Sequence, residues 1–340
     1  MIAQQRNFLL FCLLSMLLCG CADADTGAAG AVPVQYFRLA SSQSENYVTN
    51  QACQKFCDLV EDRSDGTIII QPYFDSALGE ADAVLEQCRF GGVDFARVSA
   101  TEAFSYAPLL TALQMPYEYT SDKHLFRVLD GEIGQTVLDS LSASDLTGIT
   151  YFYAGYRCFF STEKVLGSLN EMRGLHLRVD ASPFMQNLVE QWGADAVSVS
   201  DSDLAAALRS GQVDGAEDNL PTYVDSGYYR VAPYWVYDRH SYNADILIAS
   251  SHSMEALTEP QRNIIEECAA EAAAWQREHW INAEVRAMMH ASRSGCYMAL
   301  MDNAEAARFR RAAQPLYHDL TEEQQEIVSE IDRLADAPDE

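Results

Sequence analysis

From Glu259 to about Ser292 the chain contains no glycine, and its only proline, Pro260, stands at the start. Ala, Glu, Arg and Gln dominate the stretch, and all four favour helix. Proline suits a first helical turn, and Gly295 suits the stop. At ~1.5 Å per residue such a helix reaches ~45–50 Å, more than the width of one small domain. It either braces two lobes or lies along the surface of one, and the pattern alone leaves both open.

The rest of the chain alternates strand-like and helix-like segments, which argues α/β. Strands are expected at 34–40, 67–71, 93–98, 150–153, 175–179 and 244–249. Helices are expected at 45–61, 80–90, 122–141, 183–192, 202–209, 304–317 and 322–334.

The first 21 residues read as a processing segment. Arg6 gives a weak positive start, and the apolar core from Phe8 to Leu18 is too short to span a bilayer. The segment ends L-C-G-C, Leu18 to Cys21, like a bacterial lipobox, which implies cleavage before Cys21 and lipidation of its sulfur. The other reading is an ordinary signal peptide cut within Ala22–Ala31. Residues 22–33 are then a flexible tether, and acyl chains would hold the protein at a membrane.

No other segment is long and apolar enough to cross a bilayer. About 300 residues remain, enough for two lobes. The formal charge of −27 argues against nucleic acid as a partner. It also repels anions at long range, so an anionic ligand needs a local cluster of arginines. Of nine cysteines, Cys53, Cys57, Cys88, Cys158, Cys268 and Cys296 lie beyond Cys21. None shows zinc-ribbon or redox C-x-x-C spacing, and they read as structural, with disulfides undecided. Phosphate-loop, dinucleotide, nucleophile-elbow and zinc-protease motifs are absent, so no cofactor or metal is expected.

Two arginines stand out. Arg157 follows a strand and a glycine in Y-A-G-Y-R-C-F-F-S. Arg178 interrupts the apolar run M-R-G-L-H-L-R-V. A charge inside a strand is costly unless paired, and a guanidinium fork matches a carboxylate. Each alone is more often a structural salt bridge. Together they lie in a region rich in aromatics and poor in nearby acids, where they are expected to hold a ligand's carboxylate. Asp218 and Asn219 suit hydroxyls. A carboxylate plus several hydroxyls describes a sugar acid. His240 and Asn243 follow an aromatic run and are candidates for the same cleft.

These segments resemble the extracytoplasmic substrate-binding proteins of tripartite ATP-independent periplasmic (TRAP) transporters, the DctP family, over roughly Val34 to Leu334. The resemblance rests on A-L-G-E at Ala77–Glu80, G-G-V-D-F after the next helix, G-Y-R at Gly155–Arg157, M-R-G-L-H-L-R-V at Met172–Val179 and G-Q-V-D-G-A-E-D-N at Gly211–Asn219. With L-P-T-Y following, the last looks most like hexuronate-binding members. The sequence departs from the family at Asp218, where an asparagine is usual, at Asp201–Arg209, which lacks a frequent ligand-side aromatic, and at Ser99, where some relatives carry an acid.

The resemblance implies an α/β, two-lobed, periplasmic-binding-protein-like (Venus-flytrap) fold with the long helix bridging both lobes. Lobe I is expected at 34–154 plus 244–283, and lobe II at 155–243 plus 284–335. It implies no enzymatic activity. The protein would capture a small organic acid such as a hexuronate and deliver it to a TRAP membrane permease. It would be a lipid-anchored, monomeric protein outside the cytoplasm, in the periplasm or on the outer face of the cell membrane. Arg178 would be the main carboxylate partner, facing the gap without an acidic neighbour of its own, and Arg157 the second. Asp218 and Asn219 would orient hydroxyls, Phe159 would pack on the carbon skeleton, and His240 and Ser99 would complete the lining. The competing reading is an exported lipoprotein enzyme on sugar acids, with Asp218 or Glu217 as base and His240 as acid.

Overall fold

The computed structural model describes residues 33–179 and 182–335. The lipobox, Cys21 and almost all of the tether lie outside the described residues.

In chain order the elements are β1 (Gln35–Ser41), α1 (Val48–Arg63), β2 (Ile68–Tyr73), α2 (Ala81–Arg89), β3 (Phe95–Ser99), α3 (Asp122–Leu129), α4 (Glu132–Asp139) and β4 (Leu146–Ser161). Then come α5 (Leu169–Met172), β5 (His176–Val179), α6 (Pro183–Gln191), β6 (Asp195–Ser198), α7 (Asp201–Ser210), β7 (Gly215–Asp218), α8 (Leu220–Asp225), β8 (Tyr234–Tyr237) and β9 (Ser241–Ser250). The chain ends with α9 (Ser251–Glu255), α10 (Glu259–Arg293), β10 (Tyr297–Leu300), α11 (Asn303–His318) and α12 (Glu322–Ala335).

Two sheets meet at shared strands. In lobe I the order is β2-β1-β3-β9-β4, and in lobe II it is β6-β5-β7-β4, with β8 and β10 beyond β4. The long β4 gives its first part to lobe I, paired with β9, and its last residues to lobe II, paired with β7 and β8. Both sheets are buried on two faces, as helices on each side require. Along β9, Ile246 and Ile248 enter one core while Leu247 and Ala249 enter the other. In lobe II the neighbours Phe159 and Phe160 likewise face opposite cores.

The α10 helix bridges both lobes. Ile265, Cys268, Ala269 and Ala272 pack in lobe I, and Ala287 and Ala291 pack in lobe II. Between them, fully buried Gln276 accepts from Tyr153 N (3.1 Å) and donates to Tyr153 O (2.6 Å). This holds β4 where it leaves lobe I. The pairing of β4 with β9 slips between Tyr153 and Tyr156, a bulge that contains Gly155 at φ +70°. A Cβ there would stand 2.9 Å from the Trp280 ring of α10. Gly155→Ala is therefore expected to cost at least about 2 kcal/mol, from left-handed strain plus overpacking. Urea unfolding checks this, and an unchanged midpoint would remove the close approach as a constraint on the crossing.

One lobe assignment is corrected. The α12 helix packs on lobe I, not lobe II. His124 Nε2 lies 2.9 Å from Ile331 O, Arg127 donates to Leu334 O (2.7 Å) and Gln324 donates to Pro108 O (2.7 Å). The reason is its apolar stripe of Ile327, Val328 and Ile331, which completes the lobe I core. The six cysteines beyond Cys21 are unpaired, and five of them are buried.

Candidate functional site

The polar residues that the fold collects lie between the lobes. Lobe I contributes Arg97 and Ser99 from β3, and Asn243 and Asp245 from β9. Period-two alternation puts each pair on one face of its strand, and Ser99 lies directly opposite Asp245. Tyr47, just before α1, and Glu102 complete that side. Lobe II contributes Arg157, Arg178, Asp201, Asp218, Asn219 and Thr222. Together they enclose about 30 Å³, room for little more than a water. A wider depression of about 440 Å³ adjoins it and shares Glu102, Arg178 and Asp201. A six-carbon acid is larger than this inner cavity.

Hydrogen bonds join the lobes here. Asn219 is the N-cap of α8, its Oδ1 accepting from Thr222 N (2.8 Å), which leaves its Nδ2 to donate to Tyr47 OH at 3.2 Å. Nearby, Ser44 Oγ donates to Asp225 Oδ2 at 2.5 Å.

The arginines are placed as expected but not partnered as expected. Arg178 lines the cavity and is 5% exposed. Its Nε donates to Val199 O (3.0 Å) and its terminal nitrogen to Asp201 Oδ1 (2.6 Å). The expectation of a guanidinium without an acid from its own chain is therefore wrong. Asp201 opens α7, and the turn before that helix returns it to β5. Arg157 is likewise paired, donating to both carboxylate oxygens of Glu217, one at 2.6 Å, and to Glu217 O at 3.2 Å.

Beneath Arg157 the charges continue inward. His240 Nδ1 donates to Asp238 Oδ2 at 2.6 Å, and its Nε2 stands 3.7 Å from Glu217 Oε2. Asp238 Oδ1 in turn accepts from Phe159 N (3.0 Å). Burial alone would raise the Glu217 pKa, but the charge and hydrogen bonds of Arg157 and the nearby His240 cation hold it down at about 2. Burial alone would lower that of His240, but Asp238 and Glu217 lift it to about 9. His240 gains its charged form in the fold, relative to an unfolded value near 6.5. Its stabilising contribution is full below pH 6.5 and is lost as pH rises through about 9. Denaturant midpoints should fall between pH 6 and pH 10, and His240→Gln should flatten that fall. An equal fall in the variant would assign the effect to other groups.

Two further expectations are corrected. His240 does not line the cavity. It is fully buried behind Glu217 and stacks on Phe159, ring centroids 4.5 Å apart. Phe159 is also fully buried, against Trp192, and does not meet the cleft. Ser99, Asp218 and Asn219 do line it. Ser99 N donates to Glu102 Oε2 (2.8 Å), and Asp218 Oδ1 accepts from Asn219 N (2.7 Å). The reading of the sequence missed Arg97, Glu102, Tyr47 and Asp245. Arg97 and Asp245 form a buried ion pair, 4% and 1% exposed. Their signal was present, since each is a charge inside an apolar strand.

An acid–base mechanism finds little support in this arrangement. A carboxylate near pKa 2 is a poor base, and His240 is shut off from the cavity that a substrate would occupy. No cluster of three or more metal-ligating side chains occurs among the described residues.

The sequence profile of the DctP family, described as bacterial extracellular solute-binding protein, family 7, matches residues 39–324. A solute-binding protein of Chromohalobacter salexigens is 27% identical over 292 residues, 86% of each chain. A TRAP periplasmic solute-binding protein from the same species, solved with bound D-glucuronate, superposes with a TM-score of 0.85 at 26% identity, covering 88% of this chain and 99% of that one. The Xanthobacter autotrophicus counterpart with bound β-D-galacturonate gives 0.84 at 25% identity, covering 87% and 99%.

Proposed function

The chain belongs to the bacterial extracellular solute-binding proteins of family 7, the DctP family, and from that premise we propose that it captures a sugar acid of the hexuronate class between its lobes for a TRAP permease. Members of this family are solute-binding proteins that act outside the cytoplasm, not enzymes. The observation that carries the reading is the convergence of Arg157 and Arg178 from lobe II with Arg97, Ser99 and Asn243 from lobe I on one small cavity. Guanidinium forks suit the carboxylate, and the amide and hydroxyl groups suit sugar hydroxyls.

Closure favours a compact state that the free protein already reaches, and the solute supplies the extra contacts. The solute carboxylate competes with Asp201 for Arg178, so capture is an exchange of partners, and release restores the internal pair. Two of the bonds between the lobes, at Asn219–Tyr47 and Ser44–Asp225, lie beside the cavity and bias the closed state without occupying its centre.

A thermal-shift screen of uronates, aldonates and dicarboxylates tests this. A true ligand at 100 times its dissociation constant adds about 2.7 kcal/mol of stability. Galacturonate and glucuronate should raise the unfolding midpoint, and a response confined to dicarboxylates would refute the sugar-acid class.

The L-C-G-C sequence supports attachment through acyl chains on Cys21, and no helix among the described residues is long and apolar enough to cross a membrane. Cys21→Ser should move the protein from the membrane fraction to the soluble fraction. Retention on membranes would contradict a lipid anchor at that residue.

A further inference from the structure

The charges around the cavity do not match a simple anion. Four carboxylates, Glu102, Asp201, Asp218 and Asp245, line it against three guanidiniums, and Glu80 and Asp82 add to the acid side at the adjoining depression. An anionic solute would make a closed, water-poor cleft still more negative.

A second observation shows where a positive group would sit. Asp245 is 1% exposed and Asn243 3%. Their side chains lie two residues apart on β9 and face the cavity. Among the described residues neither Asp245 Oδ1 nor Asn243 Oδ1 receives a hydrogen bond. Arg97 neutralises part of the Asp245 charge as an ion-pair neighbour, yet leaves that oxygen without a donor. A buried acceptor without a donor is costly. The lobe I floor thus asks for hydrogen-bond donors, while the lobe II wall offers guanidiniums.

We propose that the solute is zwitterionic, a sugar acid that also carries a basic amine, with its carboxylate on the Arg157–Arg178 wall and its ammonium on Asn243 and Asp245. This rests on the sugar-acid reading above and narrows it. An ammonium brings three donors and one positive charge, which supplies both orphaned acceptors and offsets the carboxylate excess. A hydroxyl there supplies one donor and leaves the charge unbalanced. The solute's own carboxylate must stand across the ring from its amine, because the two recognition groups come from opposite lobes.

The test is calorimetric titration of the intact protein at pH 7 with matched solutes: galacturonate, 2-amino-2-deoxygalacturonate and its N-acetyl derivative. The amino compound should bind at least tenfold tighter than galacturonate, and N-acetylation should abolish the gain. Asp245→Asn should erase the preference. Because that change strips Arg97 of its buried partner, Asp218→Asn serves as a second variant, and it should reduce the preference with the fold intact. Galacturonate binding as tightly as the amino compound overturns the zwitterion and leaves the sugar-acid reading standing. Binding of none of the three overturns both.

Discussion

Glu217→Ala is expected to lower the free energy of unfolding by about 3–5 kcal/mol, the range for removing one partner of a buried ion pair. Glu217 is fully buried and lies between two cations, Arg157 and His240, each nearly or wholly out of water. Its removal takes a buried carboxylate from between the guanidinium, which keeps its bond to the residue 217 carbonyl, and a histidine that the remaining Asp238 keeps charged. Arg157 cannot move to solvent, because β4 is fixed by its pairing on both sides, and His240 is fully buried against Phe159 and Trp192. Glu217→Gln keeps the volume and one acceptor, so it should cost less. Urea unfolding of the three proteins at pH 7 checks the order. Equal stability of Glu217→Ala and the parent would mean that the buried charges relax at no cost, against the geometry described.

Arg178→Ala is expected to weaken binding of a uronate by about 2–5 kcal/mol, because it removes the fork at the edge of the cavity. Asp201 provides the contrast. It holds Arg178 when no solute competes, and its side chain is 34% exposed, so Asp201→Asn should strengthen binding of a plain uronate. A pair of effects with opposite sign separates ligand recognition from general damage to lobe II. Calorimetry reads both. Unchanged affinity in Arg178→Ala would discredit its role, and weakened affinity in Asp201→Asn would contradict the exchange of partners.

Much of the scaffold was legible in the sequence because its elements carry strong local patterns. The α10 helix was expected from Glu259 to Ser292 and spans Glu259–Arg293. Ser182 caps α6 just before the expected start at 183, and Ser200 caps α7, which begins at Asp201, one residue before the expected start at 202. Short strands were less visible. The β7 strand, G-A-E-D, has no apolar run and exists because β4 and β5 pair on either side of it. The crossing of β4 was hidden as well, since a bulge at a glycine breaks the alternation that marks a strand.

The site was half legible for a physical reason. A charge inside an apolar strand signals an obligation to pair, and that signal located Arg178 and, near a strand end, Arg157. Applied evenly, it also marks Arg97 in F-A-R-V-S and Asp245 in the β9 run. The signal does not say with what the charge pairs. Asp201 and Glu217 reach their arginines across 23 and 60 residues, and only the folded arrangement makes those contacts. Phe159 and His240 were misplaced similarly. Phe159 stands two residues from Arg157 and His240 follows an aromatic run, but Trp192, Asp238 and Glu217 surround them as core.

Equilibrium dialysis with labelled galacturonate, followed by chemical analysis of the solute recovered after the protein is unfolded, tests the central claim most directly. Saturable binding of one solute per chain, weakened in Arg178→Ala, with galacturonate recovered unaltered, is the predicted result. No saturable uptake, or recovery of a converted product, contradicts capture and release of a sugar acid between the lobes.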